Sequence, residues 1–200
     1  PGAIDEMIAK ANKYANPGDI WITSGSLPPG VPEDFYANLI RMLKAKGVHV
    51  IFDATAAPFK LGIKEIPWLL YPEVTEAERL VGFEIKNFDM AKRAAMNFLQ
   101  QGIEYVVLML ENGGVLISSK SLMVMALPLK VPLCRVTGAR GALLAGFVDG
   151  FVSQLPLDEI TRRAAAFRAA YISNKDYSTI QCEKFMELIP KVEIHSTAIL

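Results

Sequence analysis

The segment Thr137-Gly138-Ala139-Arg140-Gly141 combines small residues with one basic residue and leads into an apolar stretch typical of a helix. Small residues at that position leave backbone N–H groups exposed at a helix N-terminus, which favours bound anions. Glycine also allows a phosphate to approach the backbone closely. The alternative is a plain strand-to-helix turn in which glycine only satisfies backbone geometry. The segment is neither a Walker A loop nor a complete GxGxxG motif.

Three carboxylates, those of Asp53, Glu73 and Glu76, follow predicted strands and form a second group of candidates. Clustered carboxylates can hold Mg²⁺ through water beside phosphate groups. The alternative is that they are solvated loop acids, with Glu76 favouring the N-terminus of a helix through the helix dipole.

A third candidate is the loop Ser24–Gly30, with the sequence SGSLPPG, which carries the hydroxyls of Ser24 and Ser26 at the end of a predicted strand. The loop also contains two prolines and two glycines, Gly25 and Gly30, which fix its shape. The alternative is a simple strand-to-helix connection. No serine or cysteine lies in a nucleophile-elbow context, so a hydrolase triad has no support.

The elements that must position these residues alternate in type along the chain. Helices are predicted over residues 3–15, 31–46, 75–81, 89–101, 138–152, 158–174 and 182–188, and strands over residues 20–23, 48–52, 68–71, 105–110, 114–118 and 122–126. The alternation indicates an α/β protein, a single domain over residues 1–200, with a mostly parallel central sheet covered on both faces. Ligands of such sheets bind at the carboxyl ends of the strands, where the three candidate segments lie.

Composition excludes several classes of protein. The chain has 200 residues, with 21 basic and 21 acidic side chains, and zero net charge argues against nucleic acid or an anionic membrane as a partner. No apolar run approaches the roughly 18–20 residues that span a bilayer, and the sequence shows no signal-peptide pattern. Two cysteines are too few for a disulfide framework or a four-ligand zinc site. These features predict a cytoplasmic location.

Longer segments resemble the PfkB carbohydrate kinases, the ribokinase-like family. They are GDIWITSGSLPPGVPEDFYANLI (residues 18–40) and then, in order, VHVIFDAT, YPEVTEAERLVG, YVVLMLENGGVLIS and RVTGARGALLAGFVDGF. The branch that looks most similar is the group of 1-phosphofructokinases and tagatose-6-phosphate kinases. The resemblance implies a ribokinase-like three-layer α/β/α fold and transfer of the γ-phosphoryl group of ATP, with Mg²⁺, to a hydroxyl of a sugar or sugar phosphate.

At the motif that carries the family's chemistry, the sequence departs from the pattern. In the family, a Gly-Ala-Gly-Asp motif supplies backbone amides for the transferring phosphoryl group and an aspartate as the base. Alignment on the neighbouring AGF (residues 145–147) places this motif on residues 138–141. Gly141 therefore stands at the position of the base and can accept no proton, and Arg140 replaces the third small residue.

The family's nucleotide loop corresponds to residues 110–114, which include Gly114. There Glu111 replaces the glycine of a Leu-Gly pair, and its carboxylate would oppose the polyphosphate unless a metal intervenes. Glu76 matches the family's metal-linked glutamate, although Tyr71 and Glu73 depart from the Lys-Pro-Asn segment that precedes it.

The resemblance also places Ser24, Gly25 and Ser26 on the substrate side. It implies that the chain lacks the family's N-terminal strands and β lid, which carry most of the sugar contacts. An uncovered sheet edge would favour self-association into a homo-oligomer.

Three hypotheses remain. The first is a degenerate kinase relative that keeps the fold and binds a nucleotide or a sugar phosphate with weak or no catalysis. The second is an active kinase of the 1-phosphofructokinase or tagatose-6-phosphate kinase type. The third is a Rossmann-like dinucleotide-binding module, for which the loop Ser24–Gly30 lacks the required glycine fingerprint.

Overall fold

The computed structural model describes residues 2–175 and 182–199. The chain divides into two compact units, the first formed by Pro1–Ile85 with Asp89–Leu108 and the second by Lys86–Phe88 with Met109–Leu200. That both units belong to a single domain stays a prediction. Among the described residues, no helix combines the length and the apolar content needed to cross a membrane.

The first unit alternates helices with parallel strands, which confirms the α/β class. Its elements are α1 (Gly2–Tyr14), β1 (Ile20–Ser24), α2 (Phe35–Ala45), β2 (His49–Asp53), α3 (Ala56–Gly62), a 3₁₀ helix (Ile63–Glu65), β3 (Leu69–Leu70), α4 (Val74–Val81), α5 (Phe88–Gln100) and β4 (Tyr105–Met109). The strands pair in the order β1-β2-β3-β4, and each pairing is parallel.

The strands of this unit are apolar at their centres because helices cover the sheet. The central residues of β2 and β4 are fully buried, and they are Val50, Ile51, Phe52, Val106, Val107 and Leu108. Gly62 at the end of α3 allows close packing on this layer. A Cβ atom at residue 62 would lie 2.4 Å from Cζ of Phe52, so any larger residue would push the helix away from the strand.

The structure corrects the predicted start of α2. The helix begins at Phe35 and not at Val31. The N–H of Val31 donates to the carbonyl of Pro28 at 3.2 Å, and the N–H of Phe35 donates to the carbonyl of Pro32 at 3.0 Å. These tight turns use residues 31–34 to redirect the chain before the helix begins.

The second unit combines antiparallel strands with a pair of long helices. Its elements are β5 (Val115–Ser118), β6 (Leu122–Ala126), α6 (Ala139–Val152), α7 (Leu157–Ser173), α8 (Cys182–Leu188), a 3₁₀ helix (Ile189–Lys191) and β7 (Ile194–Ala198). β6 pairs antiparallel with both β5 and β7. Strand β7 is not among the predicted strands, because its residues IHSTA are mostly exposed and show no apolar alternation.

Helices α6 and α7 pack closely along a row of small residues. Gly138, Ala142, Gly146 and Gly150 follow one another at intervals of four and so lie on one side of α6. A Cβ atom at Gly146 would lie 2.8 Å from Cα of Ala164, and one at Gly150 would lie 3.1 Å from Cα of Ile160. The absence of side chains therefore sets the distance between the two helices.

This packing predicts that alanine substitutions at two glycines of α6 have opposite effects on the free energy of unfolding. In Gly146→Ala, the added methyl group meets backbone atoms of α7, and we expect the free energy of unfolding to fall by about 1–3 kcal/mol. In the control Gly141→Ala, the methyl group meets no atom within 4 Å. The higher helix propensity of alanine should then raise stability by up to about 1 kcal/mol. Urea denaturation followed by circular dichroism measures both, and equal midpoints would contradict the close approach.

Candidate functional site

The start of α6 has the geometry of an anion-binding turn. Gly138 precedes the helix with φ of +85°, a conformation that disfavours residues other than glycine. The N–H of Ala139 donates to the carbonyl of Val136 at 3.1 Å, and the N–H of Ala142 donates to the carbonyl of Gly138 at 2.9 Å. The first-turn amides of an α-helix point beyond its N-terminus, where an anion can accept from them.

Within this turn, open space lies beside Gly141, the residue predicted to stand at the position of the family's base. A Cβ atom built on Gly141 would have no atom within 4 Å. Arg140, beside it, is half-buried and brings a positive charge to the first turn. The turn can therefore offer amides and a guanidinium to an anion, whereas residue 141 offers no group that accepts a proton.

The turn Leu110–Gly114 carries the two other predicted nucleotide-side residues. The N–H of Gly113 donates to the carbonyl of Leu110, and the N–H of Leu110 donates to the carbonyl of Gly114, each at 2.8 Å. Glu111 is exposed at the tip. Gly114 is buried, and a Cβ atom there would lie 2.7 Å from Cζ of Phe88. The backbone shape of the turn thus depends on glycine and leaves the carboxylate of Glu111 accessible.

Helix α7 brings these two loops together, which sequence reasoning did not foresee. The guanidinium of Arg168 lies 3.5 Å from the Cβ position of Gly113, and the hydroxyl of Tyr171 lies 2.2 Å from the Cβ position of Gly138. Residues three apart on a helix are neighbours on its surface. Both loops therefore face one side of the C-terminal half of α7. No local sequence signal marked Arg168 or Tyr171.

In the first unit, Ser24 and Gly25 lie at the carboxyl end of β1 beside Asp53. Ser24 is in register with Asp53 on the neighbouring strand, and the N–H of Gly25 donates to the carbonyl of Asp53 at 3.0 Å. Ser24, Gly25 and Ser26 are all exposed. The loop therefore presents two hydroxyls to solvent from a backbone that is fixed at its base.

The buried side chain of Tyr36 supports the backbone of the same loop. The hydroxyl of Tyr36 donates to the carbonyls of Ser24 and Gly25, at 2.9 and 3.0 Å. Burial, and next the negative charge of Asp53, raise the pKa of Tyr36 above its ordinary value. The hydroxyl therefore stays protonated and remains a donor to the loop.

The three predicted carboxylates have different environments. Asp53 is half-buried at the end of β2, and Glu73 is exposed just before α4. Glu76 lies in the first turn of α4, as the alternative prediction had it, but it is not solvated, because only 4% of it is exposed. Its Oε1 accepts from Nη1 of Arg79 at 2.6 Å. Among the described residues, no group of three or more His, Cys, Asp or Glu side chains is placed to hold a metal ion.

A model of the pfkB family carbohydrate kinases matches residues 1–184, and the chain belongs to that family. The chain is 26% identical over 178 residues to the 1-phosphofructokinase of Bacillus subtilis, covering 88% of this chain and 58% of that protein. It is 23% identical over 179 residues to the tagatose-6-phosphate kinase of Staphylococcus epidermidis, again covering 88% of this chain and 58% of the relative. The resemblance to this branch of the family is therefore confirmed, and the chain spans less than two thirds of the length of these relatives.

Solved structures confirm the ribokinase-like fold. A putative phosphofructokinase from Staphylococcus aureus superposes with a TM-score of 0.85 at 18% sequence identity, covering 98% of this chain and 63% of that chain. At this identity the likeness concerns the fold alone.

The geometry of the first-unit loop predicts a measurable role for Tyr36. Tyr36→Phe removes the donor to the carbonyls of Ser24 and Gly25, and we expect a loss of about 1 kcal/mol in the free energy of unfolding. Tyr14→Phe is the control, because Tyr14 is 63% exposed. Thermal and urea denaturation compare the two variants. A Tyr36→Phe midpoint equal to that of Tyr14→Phe would show that the hydroxyl does not support the loop.

Proposed function

We propose that this chain is a PfkB-family carbohydrate kinase relative that binds the phosphate groups of ATP at the start of α6 and transfers them weakly or not at all. The observation that carries the proposal is Gly141. It occupies the base position of the family motif, and the space beside it is open. Loss of a positioned general base typically costs about 10²–10⁴-fold in rate.

No other acid on α6 substitutes for the lost base. Asp149 is eight residues further along the helix, which places it about 12 Å from Gly141 at 1.5 Å per residue. Its Oδ2 also accepts from Nη1 of Arg163 at 2.5 Å. A substrate hydroxyl held beside the first turn of α6 is therefore out of reach of this carboxylate, because proton abstraction requires hydrogen-bond distance.

Anion binding does not depend on the missing carboxylate. The amides that face an anion belong to the backbone, and the glycine at residue 138 that shapes the turn is present. The guanidinium of Arg140 adds a positive charge to the same turn, which favours a phosphate group further. The residues therefore fit the phosphate part of ATP, and bound ATP would supply the phosphoryl group.

The residues fit a directly bound Mg²⁺ ion less well than they fit the phosphate groups of ATP. Glu76, the family's metal-linked glutamate, is buried and bonded to Arg79. The described residues provide no carboxylate cluster around it. The cytoplasmic location and self-association expected from the sequence also remain part of this proposal.

An active sugar-phosphate kinase is the second candidate, and the loop at Ser24 favours it. Tyr36 and Asp53 hold this loop in a defined shape that presents the hydroxyls of Ser24 and Ser26. Sugar phosphates carry hydroxyls that can pair with such groups. The Rossmann-like hypothesis is not taken further, because the fold is ribokinase-like.

Repair of the base position separates the two candidates. We would measure ATP-dependent phosphorylation of fructose 1-phosphate, fructose 6-phosphate and tagatose 6-phosphate by the unchanged chain and by Arg140→Gly/Gly141→Asp. The matched control is Arg140→Gly/Gly141→Asn, which has the same shape but cannot act as the base. We expect the aspartate variant to exceed the asparagine variant by about 10²–10⁴-fold.

Two outcomes would count against the proposal. Turnover by the unchanged chain at the usual kinase rate of about 1–100 s⁻¹ would show that it is an active kinase. Equal rates for the two repaired variants, with ATP bound by both, would show that the lost base does not limit the transfer.

A further inference from the structure

We propose that Tyr171 and Arg135 are positioning residues that hold the start of α6 in the arrangement needed to bind a phosphate group. This inference rests on the proposed function, because it names the side chains that orient the same anion site. Neither residue belongs to residues 138–141: Arg135 lies in the segment before α6, and Tyr171 lies in the last turn of α7.

Arg135 ties the segment before α6 to the last turn of α7. Its side chain is almost completely buried, with 6% exposed. Nε donates to the carbonyl of Tyr171 at 2.8 Å, and the guanidinium carbon lies 3.6 Å from the centre of the Tyr171 ring. A buried guanidinium requires such compensation. The carbonyl it contacts belongs to the negative end of the dipole of α7, which also favours a cation.

Backbone contacts strengthen this attachment. The N–H groups of Cys134 and Arg135 donate to the carbonyl of Ile172, at 2.8 and 3.2 Å. The last carbonyls of a helix have no partner within the helix. Here the segment before α6 supplies those partners, so the end of α7 and this segment are fixed together.

The hydroxyl of Tyr171 extends the contact to the site itself. It donates to the carbonyl of Thr137 at 2.9 Å, one residue before Gly138. Arg135 therefore contacts the backbone carbonyl and the ring of Tyr171, and the carbonyl of Thr137 binds the hydroxyl of the same residue. Because the peptide after Thr137 leads directly into Gly138, the hydroxyl controls the direction in which the first amides of α6 point.

The glycine at residue 138 completes the arrangement. A Cβ atom there would lie 2.2 Å from the hydroxyl oxygen of Tyr171, far inside contact distance. The tyrosine and the glycine thus fit each other, and the tyrosine acts on the phosphate site through Thr137 and Gly138. For this reason Tyr171 and Arg135 are positioning residues and not catalytic ones.

Hydrogen exchange on the ligand-free chain tests the orientation directly. Tyr171→Phe keeps the ring over Arg135 and removes only the hydroxyl. We expect exchange at the amides of Ala142 and Leu143 to become about fivefold faster, as loss of one hydrogen bond implies. Amides of the β5–β6 hairpin should keep their rates. The control Tyr14→Phe should change neither set, and unchanged exchange at Ala142 and Leu143 in Tyr171→Phe would overturn the proposal.

Calorimetric titration with MgATP tests the consequence for binding. We expect Kd to rise about fivefold in Tyr171→Phe, and at least about tenfold in Arg135→Lys, which keeps the charge but loses the planar contact with the ring. A lower melting temperature with unchanged Kd in Tyr171→Phe would show a merely structural role and overturn the proposal. If the unchanged chain binds no ATP, the proposed function fails, and hydrogen exchange alone decides whether Tyr171 orients the turn.

Discussion

The close approach of α6 to α7 is the constraint on which the arrangement of the second unit depends. At Gly146 a single methyl group would collide with the backbone of α7, and at Gly150 it would lie only 3.1 Å from Cα of Ile160. The same row of small residues ends at Gly138, where the hydroxyl of Tyr171 occupies the space of a missing side chain. Packing of the two helices and placement of the turn at the start of α6 therefore both depend on glycine residues.

This constraint is the physical basis of the proposed anion site, which would persist without the base. The amides at the start of α6 come from the backbone, and their direction is set by contacts with α7. In the proposed function, Gly141 in place of an aspartate removes a proton acceptor without altering these contacts, because a Cβ atom there would have no atom within 4 Å. Under this proposal, anion binding and proton abstraction rest on different atoms of one turn, and the second can be lost while the first remains.

In the first unit, the carboxyl ends of parallel strands place polar groups side by side. The backbone register between β1 and β2 places Ser24 next to Asp53. Tertiary burial then gives each polar group its partner: Tyr36 donates to the carbonyls of Ser24 and Gly25, and Arg79 donates to Glu76. A buried polar group without such a partner would cost about 1–3 kcal/mol.

The sequence by itself determined the alternation of elements and the family. Regular apolar spacing located β6 and α8 at the bounds that the structure shows, because that spacing records which face is buried. It could not locate β7, since an exposed strand without apolar alternation is specified by its pairing with β6. The same holds for the site: the motif identified residues 138–141, but only the tertiary structure placed Tyr171 against Thr137, 34 residues away. Contacts between residues so distant in sequence are fixed by the packing of whole helices, which no local pattern records.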